Sequence, residues 1–307
     1  MSSGSPTTIY RPVTGWQFLN FRELWKFREL LWYFAWRDVK VRYKQTILGA
    51  SWAILQPLLL MLVFTAFLGS NHSDSEIPYP VYVYSGLIIW TLFANSVTSA
   101  GNSVVGAGNI VTKIYFPRLI VPFSSIGASI LDFCIASTLL ACLLVWYQIP
   151  IGWHVFSIFP AILLTILIAT GIGTLLASLN VSFRDFRYTI PFLIQLWLFA
   201  TPSVYLQTAN QETQTHSDKY IGQTTKELST PTENSESQLP TKNQQTYRRY
   251  LTLINPMNSI IETFRAALFG HTIPPHKIAI STVAAFSILI IGIAYFRRTE
   301  DHFADII

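Results

Sequence analysis

The sequence predicts an all-α integral membrane protein with six transmembrane helices preceded by an interfacial amphipathic helix, and three observations predict it. Hydrophobic residues make up 51% of the 307 positions and charged residues only 12%, with a mean hydropathy of +0.39, which leaves more apolar surface than a soluble core can hide. Several stretches reach the ~20 mainly apolar residues that a span needs, with at most one charge inside them. Lys and Arg gather at the ends of these stretches, so the net charge of +5 points to membrane orientation and not to nucleic acid.

Residues 1–20 hold no apolar run followed by a small-residue cleavage site, so no removable signal peptide is expected and the N-terminus is placed in the cytoplasm. Residues 1–46 form a cytoplasmic N-terminal segment, and 47–307 the transmembrane domain. Within 21–44, a helix turning ~100° per residue puts Phe21, Trp25, Trp32 and Trp36 in one stripe and Arg22, Lys26, Arg37, Lys40 and Lys44 in another. That pattern suits a helix lying at headgroup depth. It either anchors the topology and nothing more, or offers its basic face to a cytoplasmic partner.

Spans follow at residues 48–68, with Pro57 as a kink, 81–104, 119–147, 155–179, 190–206 with Pro191 and Pro202 near its ends, and 278–296. Lys113 and Arg118 follow the second span, Arg184 and Arg187 the fourth, and Arg297 and Arg298 the sixth, whereas 69–80 and 148–154 contain neither Lys nor Arg. Both termini are therefore placed inside. Residues 207–247, rich in Thr, Gln, Asn, Ser and Glu, cannot bury enough apolar surface to offset their ordering entropy and read as a mobile extracytoplasmic insertion. From 250 to 270 apolar character returns, but Asn255, Pro256, Glu262 and Arg265 argue against a full crossing.

Cys134 and Cys142 lie on one predicted helix, about 12 Å apart at ~1.5 Å per residue, beyond disulfide reach. Both read as small core residues. Asp132 is the single carboxylate deep in a span, with no basic residue in another span to meet it; a structural and a functional role both fit. So few ionisable groups at depth poorly equip the chain to be a carrier powered by an ion gradient.

Other residues mark candidate contacts. Tyr115 and Phe116, beside Lys113 and Arg118 in a cytoplasmic loop, are a protein-contact candidate or interface anchors. Trp52, Gln56 and Phe67 share one face of the first span. Phe192, Gln195 and Phe199 share one face of the fifth, with Trp197 and Tyr205 on another side. Aromatic faces and amides suit the C–H faces and hydroxyls of sugars, and they suit packing equally. No phosphate-binding loop, serine elbow, H-E-x-x-H or zinc-type Cys/His spacing is found.

Several blocks together resemble one family, the membrane subunits of ABC exporters for O-antigen, capsule and teichoic acid glycans: LLWYFAWRDVKVRYKQTILGASWAILQPLLLMLVF at 30–64, VTKIYFPRLIVP at 111–122, NVSFRDFRYTIPFLIQLWLFATPSVY at 180–205, NPMNSIIETFRAALFG at 255–270 and YFRRTEDHFADII at 295–307. The resemblance implies a homodimer of six-span subunits forming one channel in the bacterial inner membrane, with two copies of an ABC ATPase subunit docked below. ATP and Mg would be held by that partner, so this chain carries no cofactor and no catalytic residue.

The same resemblance implies that Arg37, Lys40, Lys44, Lys113, Tyr115, Phe116 and Arg118 couple to the ATPase. It further implies that the aromatic stripes line the path of a lipid-linked polysaccharide, and that short gate helices near 250–270 carry Glu262 and Arg265. The insertion at 207–247 departs from the family pattern. An ABC exporter of a drug or lipid, and a membrane-embedded glycan-modifying enzyme, are the alternatives.

Overall fold

A computed structural model describes residues 21–44, 46, 48–69, 77–150, 152–205, 255–271 and 275–303, and among these it is helical with no strand. Helices α1 (Phe21–Lys26) and α2 (Arg28–Tyr43) precede α3 (Ser51–Leu68), α4 (Tyr79–Gly106), α5 (Gly108–Val111), α6 (Ile120–Trp146), α7 (Ile158–Ser182), α8 (Phe186–Phe199), α9 (Pro256–Phe269) and α10 (Pro275–Thr299). Short 3-10 turns at Trp153–Ser157, Pro202–Val204 and Glu300–His302 extend or follow α7, α8 and α10. The insertion at 207–247 lies outside the described residues.

Five helices are long and apolar enough to cross a bilayer: α3, α4, α6, α7 with its preceding turn, and α10 from Ile278. The expected boundaries of these five agree with the observed helices to within a few residues. The expected fifth crossing, 190–206, differs. Its helix, α8, has only 14 residues, about 21 Å at ~1.5 Å per residue, against a hydrocarbon core of ~30 Å. Pro202 sets its end, because the residue before a proline is pushed out of helical geometry, and Thr201 accordingly sits at φ −116° and ψ 73°.

Helix α4 is the centre of the bundle. Its faces carry Val83, Tyr84, Leu87, Ile88, Leu92 and Phe93, all at most 2% exposed, and it packs on α3, α6, α7, α8 and α9. The Tyr84 hydroxyl donates to the Ala136 carbonyl of α6 at 2.9 Å, and the Asn180 amide of α7 donates to the Gly101 carbonyl and the Asn102 side chain, each at 3.0 Å. Where α7 crosses α10, Gly171 and Gly292 face each other so closely that a Cβ on either would overlap the other helix's backbone. Small residues at such crossings let helices meet without a hydrophobic driving force between them.

The outer helices are the reverse. Leu59, Leu62 and Val63 of α3 and Val283, Ile290 and Ile291 of α10 are exposed, apolar faces that suit lipid better than water. Cys134 and Cys142 correct an expectation: both are exposed on α6, because that helix turns Phe133, Ala136, Leu140 and Leu144 inward instead.

Candidate functional site

Basic residues and aromatics meet at one end of the bundle. There Phe34 of α2, Phe116 of the loop after α5, Val104, Val181, Phe296 and Phe303 form one buried cluster. The Phe34 and Phe116 rings contact edge to face at 5.6 Å between centroids, as do Phe296 and Phe303 at 5.2 Å. The cluster therefore joins the amphipathic helix, the loop and the C-terminal segment into one body. Lys113 and Tyr115 stay exposed as expected, Tyr115 at 70%, but Phe116 is 4% exposed. The pairing of Tyr115 and Phe116 as two exposed contact rings is corrected: the apolar Phe116 anchors the loop from below, and Tyr115 alone faces out.

Charges decorate this cluster. The Arg37 guanidinium lies 4.9 Å from the Phe34 ring and pairs with Asp38 at 2.8 Å, while the Lys40 ammonium lies 5.5 Å from the Trp36 ring. Lys44 is exposed. Arg297 bonds Glu300 at 2.7 Å. Burial pushes the Glu300 carboxyl upward, against the opposing pull of Arg297 and Arg118, and Arg118 keeps one buried guanidinium nitrogen unbonded. Trp25 and Trp32 are exposed at 70% and 71%, the placement expected of rings at headgroup depth.

The deep carboxylate has the basic partner that no span supplied. Asp132 of α6 accepts from Arg42 and from the Tyr43 hydroxyl, and Arg42 also donates to Ser99 of α4 at 2.8 Å. Burial, and then the bond to Asp132, push the Tyr43 phenol upward. The partner comes from outside the spans: the last turn of α2 brings Arg42 alongside α6.

The aromatic stripes divide. Trp52, Phe67, Phe192 and Phe199 are between 52% and 80% exposed, with Gln56 and Gln195 exposed beside them. Trp197 and Tyr205 turn inward. Trp197 packs edge to face on Phe93 at 5.2 Å and donates to Asn255 at 3.2 Å, and Tyr205 stacks on Phe64 at 5.2 Å.

At the other end, α9 is capped by Asn255, whose side chain accepts from the Met257 amide at 3.1 Å, and is closed by Gly270 at φ 73°. Such a left-handed position is the ordinary glycine stop. Arg265 on this helix is 4% exposed. Its guanidinium donates to the carbonyls of Tyr82, at 2.7 Å and 3.1 Å, Val204, at 2.9 Å, and Ser203, and to the Ser85 hydroxyl at 3.2 Å, with its carbon 3.6 Å from the Tyr82 ring centre. Arg265 thus clamps α9 to the start of α4 and the turn after α8, while Glu262 is only half-buried.

Among the described residues, a helical bundle with five helices long and apolar enough to cross a bilayer and basic residues at one end is a multi-pass membrane protein. The chain belongs to the ABC-2 type transporter family, whose model matches residues 29–210, more than half of it. It is 27% identical over 287 residues to an O-antigen export system permease protein RfbA of Myxococcus xanthus, covering 92% of this chain and 97% of that one. It is 26% identical to an RfbA permease protein of Klebsiella pneumoniae over 88% and 92% of the two chains. It is also 25% identical to the polysialic acid transport protein KpsM of Escherichia coli, over 52% of this chain and 63% of that one.

Proposed function

We propose that this chain is the channel-forming subunit of an ATP-driven exporter that moves a lipid-linked polysaccharide across the bacterial inner membrane, with ATP and Mg bound by a separate ABC ATPase. The observation that carries this reading is the alignment along nearly the whole chain with relatives named for O-antigen export. Their names speak of polysaccharide, which favours a glycan cargo over a drug or lipid. The physical counterpart is a bundle with few ionised groups to couple to an ion gradient, so that an outside motor must supply the work.

In this reading both termini are cytoplasmic, the segment 1–46 precedes a transmembrane domain from 47 onward, and α8 with the turn after it serves as the remaining crossing, to make six. A second copy of the chain closes the exposed faces of α3 and α8, so that Trp52, Gln56, Phe67, Phe192, Gln195 and Phe199 line the shared path, and α9 acts as an outer gate element. Two ATPase copies meet Arg37, Lys40, Lys44, Lys113 and Tyr115.

Deleting the gene is expected to remove polysaccharide from the cell surface and leave the glycan inside. Normal surface glycan in a strain with no redundant exporter rejects the reading. The variant R37E/K40E/K44E is expected to insert normally, because cytoplasmic charge on neighbouring segments remains, and to lose most export, since like charges now meet an acidic docking face. Co-purification of the ATPase at wild-type yield with this variant would remove the docking role of α2.

A further inference from the structure

The 3-10 turn Glu300–His302 follows α10 and carries Phe303 into the buried cluster at the basic end of the bundle. Phe303 is fully buried and meets Phe296 edge to face at 5.2 Å, a geometry that aromatic pairs favour beyond the area they bury. The same cluster holds Phe116, Leu119 and Ile120, from the loop after α5 and the start of α6, and Phe34 of α2. Rings from α2 and from the turn after α10 thus floor this loop. Lys113 and Tyr115 stand exposed above it.

Charge adds a second link. One oxygen of the Glu300 carboxylate accepts from Arg297 at 2.7 Å, and the other is buried without a hydrogen-bond partner. Arg118, in the loop, has a buried guanidinium nitrogen in the same condition, although buried polar atoms are rarely left so. The two groups are neighbours: burial raises the Glu300 carboxyl, and Arg297 and then Arg118 pull against that rise. A carboxylate meets guanidinium groups through both of its oxygens. Glu300 therefore stands between two guanidiniums, bonded on the side of α10 and with an acceptor left for the loop.

Arg118 is also held along the chain. Phe116 before it is buried and Leu119 after it fully so, and a close-packed anchor moves only with what it packs against. Further up the loop, the amides of Thr112, Lys113 and Ile114 bond back to α5 at 3.0, 3.2 and 3.1 Å. The exposed stretch is a short hydrogen-bonded turn on an apolar footing, and the orientation of that footing decides where Lys113 and Tyr115 point.

We propose that the turn after α10 is a positioning strut for the loop at 112–118, with Phe303 as its wedge and Glu300 as its tie to Arg118. The strut sets how Lys113 and Tyr115 are presented. Its bearing on ATP-driven transport rests on the export reading above; the strut itself does not.

The test is hydrogen–deuterium exchange of the full chain in phosphatidylcholine nanodiscs, read on peptides covering 108–118, 293–303 and 81–104. Glu300→Gln keeps the shape and removes the charge. It is expected to speed exchange at 112–114 roughly tenfold, the loss of charge assistance at a buried bond, and Phe303→Ala should do so by at least as much. Phe303→Leu, which refills the cluster, should return exchange to within about twofold of wild type. The 81–104 peptide of α4 should not change; should Phe303→Ala loosen it as well, Glu300→Gln decides alone. Arg118→Gln combined with Glu300→Gln should exchange no faster at 112–114 than the faster single variant, because both break one link. Faster exchange confined to 293–303, unchanged exchange in Glu300→Gln, or effects of the Arg118 and Glu300 variants that simply multiply overturn the proposal. Unchanged exchange in a protein whose deletion abolishes surface glycan rejects the strut alone; faster exchange with normal surface glycan after deletion rejects the export reading alone.

Discussion

Arg265→Leu is expected to destabilise the protein by about 2–6 kcal/mol, the cost of leaving two buried carbonyls without their donor, and to abolish export. The leucine fills part of the space but offers no donors. It leaves the Ser203 and Val204 carbonyls facing an apolar side chain, each worth about 1–3 kcal/mol when buried and unpaired, while the Tyr82 carbonyl keeps its bond from the Ser85 hydroxyl. Lysine is a poor substitute, since one ammonium cannot reproduce a planar fork that meets several acceptors at once. Gly86→Ala should act in the same direction from the other side, because its Cβ would strike the Arg265 guanidinium and come within 2.9 Å of the Val204 carbonyl. Thermal unfolding of the detergent-solubilised variants measures both. An Arg265→Leu protein with a wild-type melting temperature would show that the clamp contributes nothing.

Asp132→Ala is the second large effect, at about 3 kcal/mol or more, because it strands Arg42 beside the bundle without its counter-ion. The side chains of the pair are 31% and 13% exposed, dry enough for a lone cation to be costly. Removing both charges together, as Arg42→Leu with Asp132→Ala, and comparing with each single variant, is expected to recover most of that loss, since replacing a buried pair by apolar residues is often neutral. The double-mutant cycle therefore has a signed outcome. A double variant less stable than Asp132→Ala alone would mean that the pair is not what holds α2 against α6.

The sequence made the helices legible where a single physical signal decides them. A run of apolar residues long enough to cross lipid has no competing interpretation, which is why α3, α4, α6, α7 and α10 fall where expected. Helix α8 is less legible because hydropathy continues past residue 199 while Pro202 ends the helix. Side-chain pairings were mostly hidden. Arg42 and Asp132 are 90 residues apart, and nothing local announces that the end of α2 lies beside the middle of α6.

Two local features do bear on these pairings. Arg265 follows Ile261 by four residues and precedes Leu268 by three, on the edge of the apolar face of its helix, and a cation in that position forecasts a buried clamp more than a mobile gate. Phe116 precedes Pro117 and the apolar run Leu119–Val121, which is buried in the same cluster, and so is the ring of the Tyr115–Phe116 pair better placed to turn inward. The exposed stripe of Phe192, Gln195 and Phe199 was readable because it follows from helix geometry alone.

The encasement of α4 has a mechanical meaning. A rod gripped on every side at crystal-like packing density has nowhere to go without opening voids, so it serves as a stator. Helices α3 and α8 keep most of their girth free of neighbours in the protomer, so in the proposed exporter they are the parts at liberty to move when a partner ATPase acts at the basic end.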